Sequence, residues 1–103
     1  MKIGLIGFGK TGKSVASILL DNKKFCLEWV LRQSTVLEHR SVPEFFGVQS
    51  DEPGLIYSSS KTSIEELLEN HPVDVIIDFS SHQGIYTYGE AAAKKNIKII
   101  SAI

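Results

Sequence analysis

Residues 1–20 read MKIGLIGFGKTGKSVASILL. Lys2 to Ile6 predict a short buried strand, and Gly7-Phe8-Gly9-Lys10-Thr11-Gly12 a glycine-rich turn. Lys13 to Leu20 continue as a helix with Val15, Ile18 and Leu19 on its apolar side. A strand that stops at glycines and starts a helix aims backbone N–H groups and the positive end of the helix dipole at one spot, which favours phosphate. Two phosphate-binding patterns fit the same residues. Gly7, Gly9 and Gly12 spell G-x-G-x-x-G, the dinucleotide fingerprint, whereas Gly7, Gly12, Lys13 and Ser14 spell the P-loop pattern G-x-x-x-x-G-K-S. The first needs a helix that starts near Gly9. The second needs one that starts at Gly12 or Lys13, with Lys13 bent back to the phosphates and Ser14 on a magnesium ion.

Working outward, Asp21-Asn22-Lys23-Lys24 is a polar break, and Phe25 to Leu31 predict a second strand followed by Arg32-Gln33-Ser34-Thr35. Residues 34–54 carry few signals. Pro43, Gly47, Pro53 and Gly54 interrupt any long element, and a short helical turn fits Val36 to Arg40. Phe45 and Phe46 suit a cover for the sheet edge or a flank for an adenine ring. Leu55 to Ser58 predict a third strand. Ser63 and Glu66 form a capping box for a helix that runs to about Glu69 and stops before Asn70-His71-Pro72. Val73 to Phe79 is the strongest strand signal, apolar enough for burial on both faces. Ser80 to Gly84 predict a turn, Ile85 to Lys95 a helix stopped at Asn96, and Ile97 to Ile103 a fifth strand.

Strands alternating with helices predict an α/β fold, a Rossmann-type doubly wound parallel sheet of about five strands in the order 3-2-1-4-5. The chain's 103 residues suit one domain and one core, with roughly 65% of the unfolded surface buried on folding. A net charge of −1 gives no basic excess to point to nucleic acid or an anionic membrane. The single cysteine, Cys26, allows no internal disulfide and reads as a small buried residue. The N-terminus lacks signal-peptide character and no apolar run approaches a membrane span, so a cytoplasmic protein is expected. The apolar fifth strand predicts either a longer protein with a further C-terminal domain or self-association through that strand.

The dinucleotide pattern uses more of the sequence. Gly7 serves the tight turn, Gly9 the approach of a pyrophosphate and Gly12 the packing of helix on strand. Arg32 falls twenty residues after Gly12, where an acid would hold an NAD ribose and an arginine suits the 2′-phosphate of NADP. Glu28 lies too early in its strand to be that acid. The strand order places the glycine turn beside Phe79-Ser80-Ser81, with Ser101-Ala102-Ile103 at the same edge. For the P-loop alternative, Asp78 is the available magnesium-side acid, but the chain has no Asn-Lys-x-Asp guanine reader. A third reading is a non-catalytic nucleotide-sensing module. His39, His71 and His82 show no metal spacing, although His82 lies near the expected crevice. Asp78 suits a structural role, orienting the turn after its strand, and Lys10 either pairs with a phosphate or is simply solvated.

MKIGLIGFGKTG, DVIIDFSS and IKIISAI together resemble the N-terminal domain of the dihydrodipicolinate reductase family. The resemblance implies an NAD(P)H-dependent oxidoreductase that reduces a cyclic dipicolinate precursor on the route to diaminopimelate and lysine. The family's Asp-Phe-Ser/Thr segment matches Asp78-Phe79-Ser80, and its nicotinamide-contacting segment corresponds to Ser101-Ala102-Ile103. The glycine loop is one residue shorter than in many members, Ser81-His82 replaces a frequent proline, and Ser101-Ala102 stands where Gly-Thr-Thr-like residues are usual. The cofactor implied is NADPH, with NADH as the alternative. The residues expected to contact it are Gly7, Phe8, Gly9, Lys10, Thr11, Gly12, Arg32, Gln33, Ser34, Phe79, Ser80, Ser81, Ser101 and Ala102. The family's catalytic His-His-x-x-Lys region belongs to a second domain and has no match here, so the isolated chain is expected to be inactive and to have no catalytic residue of its own.

Overall fold

The computed structural model describes residues 1–79, 89 and 92–101. The elements in chain order are β1 (Lys2–Ile6), α1 (Lys10–Asp21), β2 (Cys26–Arg32), α2 (Val42–Phe46), β3 (Leu55–Ser58), α3 (Ile64–Asn70), β4 (Val75–Asp78) and β5 (Lys98–Ser101). The five strands form one sheet in the order β3-β2-β1-β4-β5, and every pairing is parallel. This is the Rossmann-type order expected from the sequence. Of the helix expected over Ile85–Lys95, residues 89 and 92–94 are helical. Asn96, in the left-handed region at φ 58°, ends it as expected. The turn at 80–84, with His82, lies outside the described residues.

The inner strands of the sheet are buried on both faces because each face carries its own apolar cluster. On one side Ile6, Trp29, Leu31 and Ile76 pack with Ile64, Leu67 and Leu68 of α3 and with Ala92. On the other, Ile3, Leu5, Leu27, Val30 and Ile56 pack with Ala16 and Leu19 of α1 and Val42 of α2. Fully burying each such aliphatic side chain is worth about 1.5–3 kcal/mol. Trp29 is fully buried, and its ring lies against Gly4 of β1, where a Cβ would come within 2.4 Å. Its indole N–H donates to the His71 carbonyl at 3.0 Å, so its one polar atom is satisfied.

Local signals explain the helices. Gly12, Ala16 and Leu19 are the buried positions of α1 and share one face at i, i+4 and i+7. Ile18, expected to pack, is instead 65% exposed, since that spacing turns it away from the sheet. Ser63 caps α3, its Oγ accepting the Glu66 N–H at 3.2 Å. Residues 34–54 form no long element, as expected, but a short helix α2 does form there, with Pro43 in its first turn and Gly47 at its end. Ser41 is its N-cap, with Oγ accepting the Glu44 N–H at 3.1 Å. Pro43 sits in the first turn, where no N–H is needed, and Gly47 closes the end at φ 68°. Residues 36–39 form turns, with Leu37 and His39 at φ 70° and 66°. The chain then runs antiparallel along the outer edge of β3, through His39 N–H to Ile56 O and Ile56 N–H to Arg40 O, so β3 has no bare edge there. Among the described residues, no helix is long and apolar enough to cross a membrane.

Candidate functional site

The C-terminal ends of the strands line up along one edge. Ile6 pairs with Leu31 and with Asp78, Arg32 with Ser58, and Asp78 with Ser101. The chain reverses between β1 and β4, so the crevice of a doubly wound sheet opens above those two strands. Gly7 leaves β1 at this point, its N–H donating to Leu31 O at 2.8 Å while Phe79 N–H donates to Ile6 O at 2.8 Å. Gly7 has φ +99°, and a Cβ there would lie 3.2 Å from the Phe79 carbonyl carbon. Only glycine turns between the two neighbouring strand ends in this conformation.

Gly9 is the N-cap of α1 and makes no side-chain cap bond. The first helical hydrogen bond runs from Lys13 N–H to Gly9 O at 2.9 Å. The amides of Lys10, Thr11 and Gly12 therefore have no partner within the helix. No acidic residue in the first turn offsets the positive dipole end. Among the described residues, a Cβ at Gly9 would meet nothing within 4 Å. Gly12 is the opposite case, for its Cβ would stand 2.6 Å from Gly7 O. The protein's own packing thus requires Gly7 and Gly12, and Gly9 leaves a bare anion-favouring surface. These residues fit a pyrophosphate.

The geometry also separates the two patterns in this loop. The helix begins at Lys10, ahead of the start a P-loop needs. Ser14 is already inside it, its hydroxyl donating to Lys10 O at 3.1 Å. The Lys13 ammonium does not bend back over the loop but lies 5.6 Å from the Phe8 ring centre and 5.2 Å from that of Phe45.

Arg32 ends β2, half-buried, with Nη1 donating to Val36 O at 3.4 Å. Gln33 is exposed, and its carbonyl accepts the Ser58 hydroxyl at 3.0 Å. Ser34 Oγ accepts the Val36 N–H at 3.0 Å, shaping the loop after β2. Lys10 and Thr11 are exposed. The Phe8 ring is buried at 3% exposure and edge-on to Phe45, so Phe8 offers a cofactor only its backbone. Phe79 is half-buried over β4, and Ser101 is exposed at the end of β5. Ser80, Ser81 and Ala102 lie outside the described residues. The glycine turn, Arg32, Phe79 and Ser101 therefore share the edge that their spacing implied.

Sequence reasoning missed two parts of this edge. The turn after β3 packs on the Arg32–Ser34 loop, with Ser58 fully buried, its Oγ 2.7 Å from Ser60 Oγ, and Ser59 N–H donating to Arg32 O. The serine run at 58–60 was the available signal. The second part is the Lys13–Phe45 contact, for which no local signal exists. Asp78 is fully buried at the C-terminal end of β4, on this same edge. His39 and His71 flank Tyr57, with His71 Nε2 3.3 Å from the phenol oxygen. Burial pushes the Tyr57 phenol up, and burial together with Glu28 and Glu52 pushes the Cys26 thiol up.

The family model described as dihydrodipicolinate reductase, N-terminus, matches residues 1–103. Among solved structures, the chain is similar to RSP, a Rex-family repressor, at 16% identity and a TM-score of 0.70. The match covers 99% of this chain and 46% of the repressor. RSP in complex with beta-NADH aligns at 14% identity and a TM-score of 0.69, again over 99% and 46% of the two chains. UDP-D-quinovosamine 4-dehydrogenase from Vibrio fischeri aligns at 16% identity and a TM-score of 0.64, over 97% of this chain and 75% of the dehydrogenase. The chain thus spans less than half the length of the Rex-family repressor. No curated protein matches it. With the family model matching from the first residue to the last, the chain belongs to the dihydrodipicolinate reductase N-terminal family, a Rossmann domain of the NAD(P)-binding kind.

Proposed function

We propose that the chain binds NADPH and presents it for hydride transfer to a cyclic dipicolinate precursor, in a reductase serving diaminopimelate and lysine synthesis. One observation carries the cofactor reading. Gly9 caps α1 above amides that have no partner within the helix, no described residue lies within 4 Å of where its Cβ would be, and Arg32 stands in place of an acid at the end of β2. Gly7, Gly9 and Gly12, with the Lys10 and Thr11 amides, would admit the pyrophosphate. Arg32, Gln33 and Ser34 would read the adenosine phosphate. Phe79 and Ser101, with Ser80, Ser81 and Ala102 assigned from the sequence pattern alone, would border the nicotinamide ribose. The bound cofactor supplies the hydride, and the isolated chain is expected to hold it without reducing substrate. Titration calorimetry with NADPH, NADH and Mg-ATP tests this. NADPH binding supports the proposal. Tight Mg-ATP binding that vanishes in Lys13→Ala, with no dinucleotide binding, would overturn it in favour of nucleotide hydrolysis.

A second reading, a nucleotide-sensing module, draws on one feature of the surface. Ile100 on the outer strand β5 is 49% exposed and suits self-association. The Rex-family likeness supplies a fold precedent, including a complex with NADH. A change in oligomeric state on adding NADH, read by size-exclusion chromatography, favours this reading, and an unchanged state favours the reductase domain.

A further inference from the structure

The dinucleotide pattern gives work to Gly7, Gly9 and Gly12 but none to Lys13. The structure holds Lys13 in a defined place. Its ammonium lies over both Phe8 and Phe45, whose rings meet edge-to-face at 5.4 Å. Such a seat attracts a cation through the ring quadrupoles and narrows its range of positions. A cation already held near its target loses less entropy on engaging it.

The seat lies on a particular flank of the glycine turn. Phe8 follows Gly7, which is tied to Leu31, the residue before Arg32. Phe45 comes from α2, the helix that follows the Arg32–Ser34 loop. The Phe45 contact places the Lys13 ammonium on the α2 side of the glycine turn, and α2 follows the loop that Arg32 opens. A dinucleotide with its pyrophosphate on the α1 N-terminus extends its adenosine half toward the end of β2. A phosphate monoester there carries close to two negative charges near neutral pH, and Arg32 balances one. The carboxylate on α2, Glu44, is engaged by Arg40, and among the described residues Lys13 has no ion pair.

We infer that Lys13 is a second cation for the adenosine 2′-phosphate, acting with Arg32, and that Phe45 positions it. This rests on the dinucleotide reading above. The test is calorimetric titration of NADPH, NADH, 2′,5′-ADP and 5′-ADP into the wild-type protein and the variants Lys13→Met, Lys13→Arg and Phe45→Leu. Circular dichroism and urea midpoints establish that each variant is folded. Lys13→Met is expected to weaken NADPH and 2′,5′-ADP by about tenfold, as for loss of one charge-assisted contact, and NADH and 5′-ADP by less than about twofold. Lys13→Arg retains most of the affinity. Phe45→Leu weakens NADPH by about threefold and leaves NADH unchanged, which a packing role alone would not produce. Equal losses for NADH and NADPH in Lys13→Met would place Lys13 on the pyrophosphate, and no loss for either would make it a packing residue. Either result overturns the inference while the cofactor reading stands. A wild-type protein that binds neither dinucleotide overturns both.

Discussion

A Cβ added to Gly12 would stand 2.6 Å from the carbonyl oxygen of Gly7. The clash is with backbone, which cannot swing aside as a side chain can. Gly12→Ala must therefore push α1 away from the end of β1. The expected cost is about 1–3 kcal/mol, net of the better helix propensity of alanine. Urea unfolding measures it, and an unchanged midpoint would show that the helix relaxes freely.

Gly9 supplies the contrasting case. Its φ of −81° suits any residue, and a Cβ there meets no atom of the described residues within 4 Å. Gly9→Ala is expected to stay within about 1 kcal/mol of wild-type stability. The new methyl stands where the pyrophosphate would approach, so dinucleotide affinity is expected to fall by about tenfold or more. A stable Gly9→Ala protein with wild-type affinity would remove the pyrophosphate from this loop.

The two glycines also mark what the sequence makes legible. Their spacing, together with a strand before and a helix after, locates the phosphate-favouring turn without coordinates. Arg32 follows from counting along the chain to the end of β2. The strand order follows from the alternation of elements. The region between β2 and β3 is different. Helix α2 is only five residues long, too short for periodicity to reveal it. Its Ser41-x-x-Glu44 start repeats the pattern of Ser63 and Glu66 that announces α3, yet Pro43 and Gly47 read more readily as breakers than as helix boundaries. Leu37 and His39 adopt left-handed backbone without the glycine or asparagine that usually signals it. The Lys13 seat needs Phe45 from this same region, so it stayed hidden as well.

Arg32 is the residue on which cofactor choice is expected to turn. It ends β2 half-buried, and among the described residues its guanidinium makes one long hydrogen bond, 3.4 Å to Val36 O, so little must be broken there for it to meet a phosphate. Arg32→Asp is expected to weaken NADPH by about thirtyfold or more, through lost attraction and new repulsion. NADH should change little or improve, since a carboxylate there can accept the ribose hydroxyls. Parallel titrations decide, and equal losses for the two cofactors would contradict a 2′-phosphate role.

Trp29 fills the space that Gly4 leaves open, with the nearest ring atom 2.4 Å from where a Cβ would be. Gly4→Ala must displace a fully buried indole whose N–H is bonded to His71 O. Overpacking of this kind costs about 1–3 kcal/mol, and loss of the indole hydrogen bond adds to it. Trp29 is the chain's one tryptophan, so its emission reports the change directly. A red shift with a lower urea midpoint is expected, and unchanged emission would mean that the ring keeps its place.

Alkaline pH should test the burial of Cys26 and Tyr57. Desolvation is the main cause that raises both groups, with Glu28 adding repulsion to each ionised form and Glu52 adding more for Cys26. Their ordinary values are 9.0 and 10.0. Above those values the unfolded chain releases its protons while the folded chain keeps them. The unfolded state then binds fewer protons, so unfolding becomes more favourable as pH rises. On account of these two groups, stability is full below about pH 8, falls first as Cys26 ionises in the unfolded chain, and falls again with Tyr57. Urea midpoints from about pH 8 to about pH 11 follow the loss, and the double variant Cys26→Ser, Tyr57→Phe should show a shallower decline. The comparison between the two proteins cancels the contribution of lysines that titrate in the same range. Parallel declines would mean that neither group is held neutral by the fold.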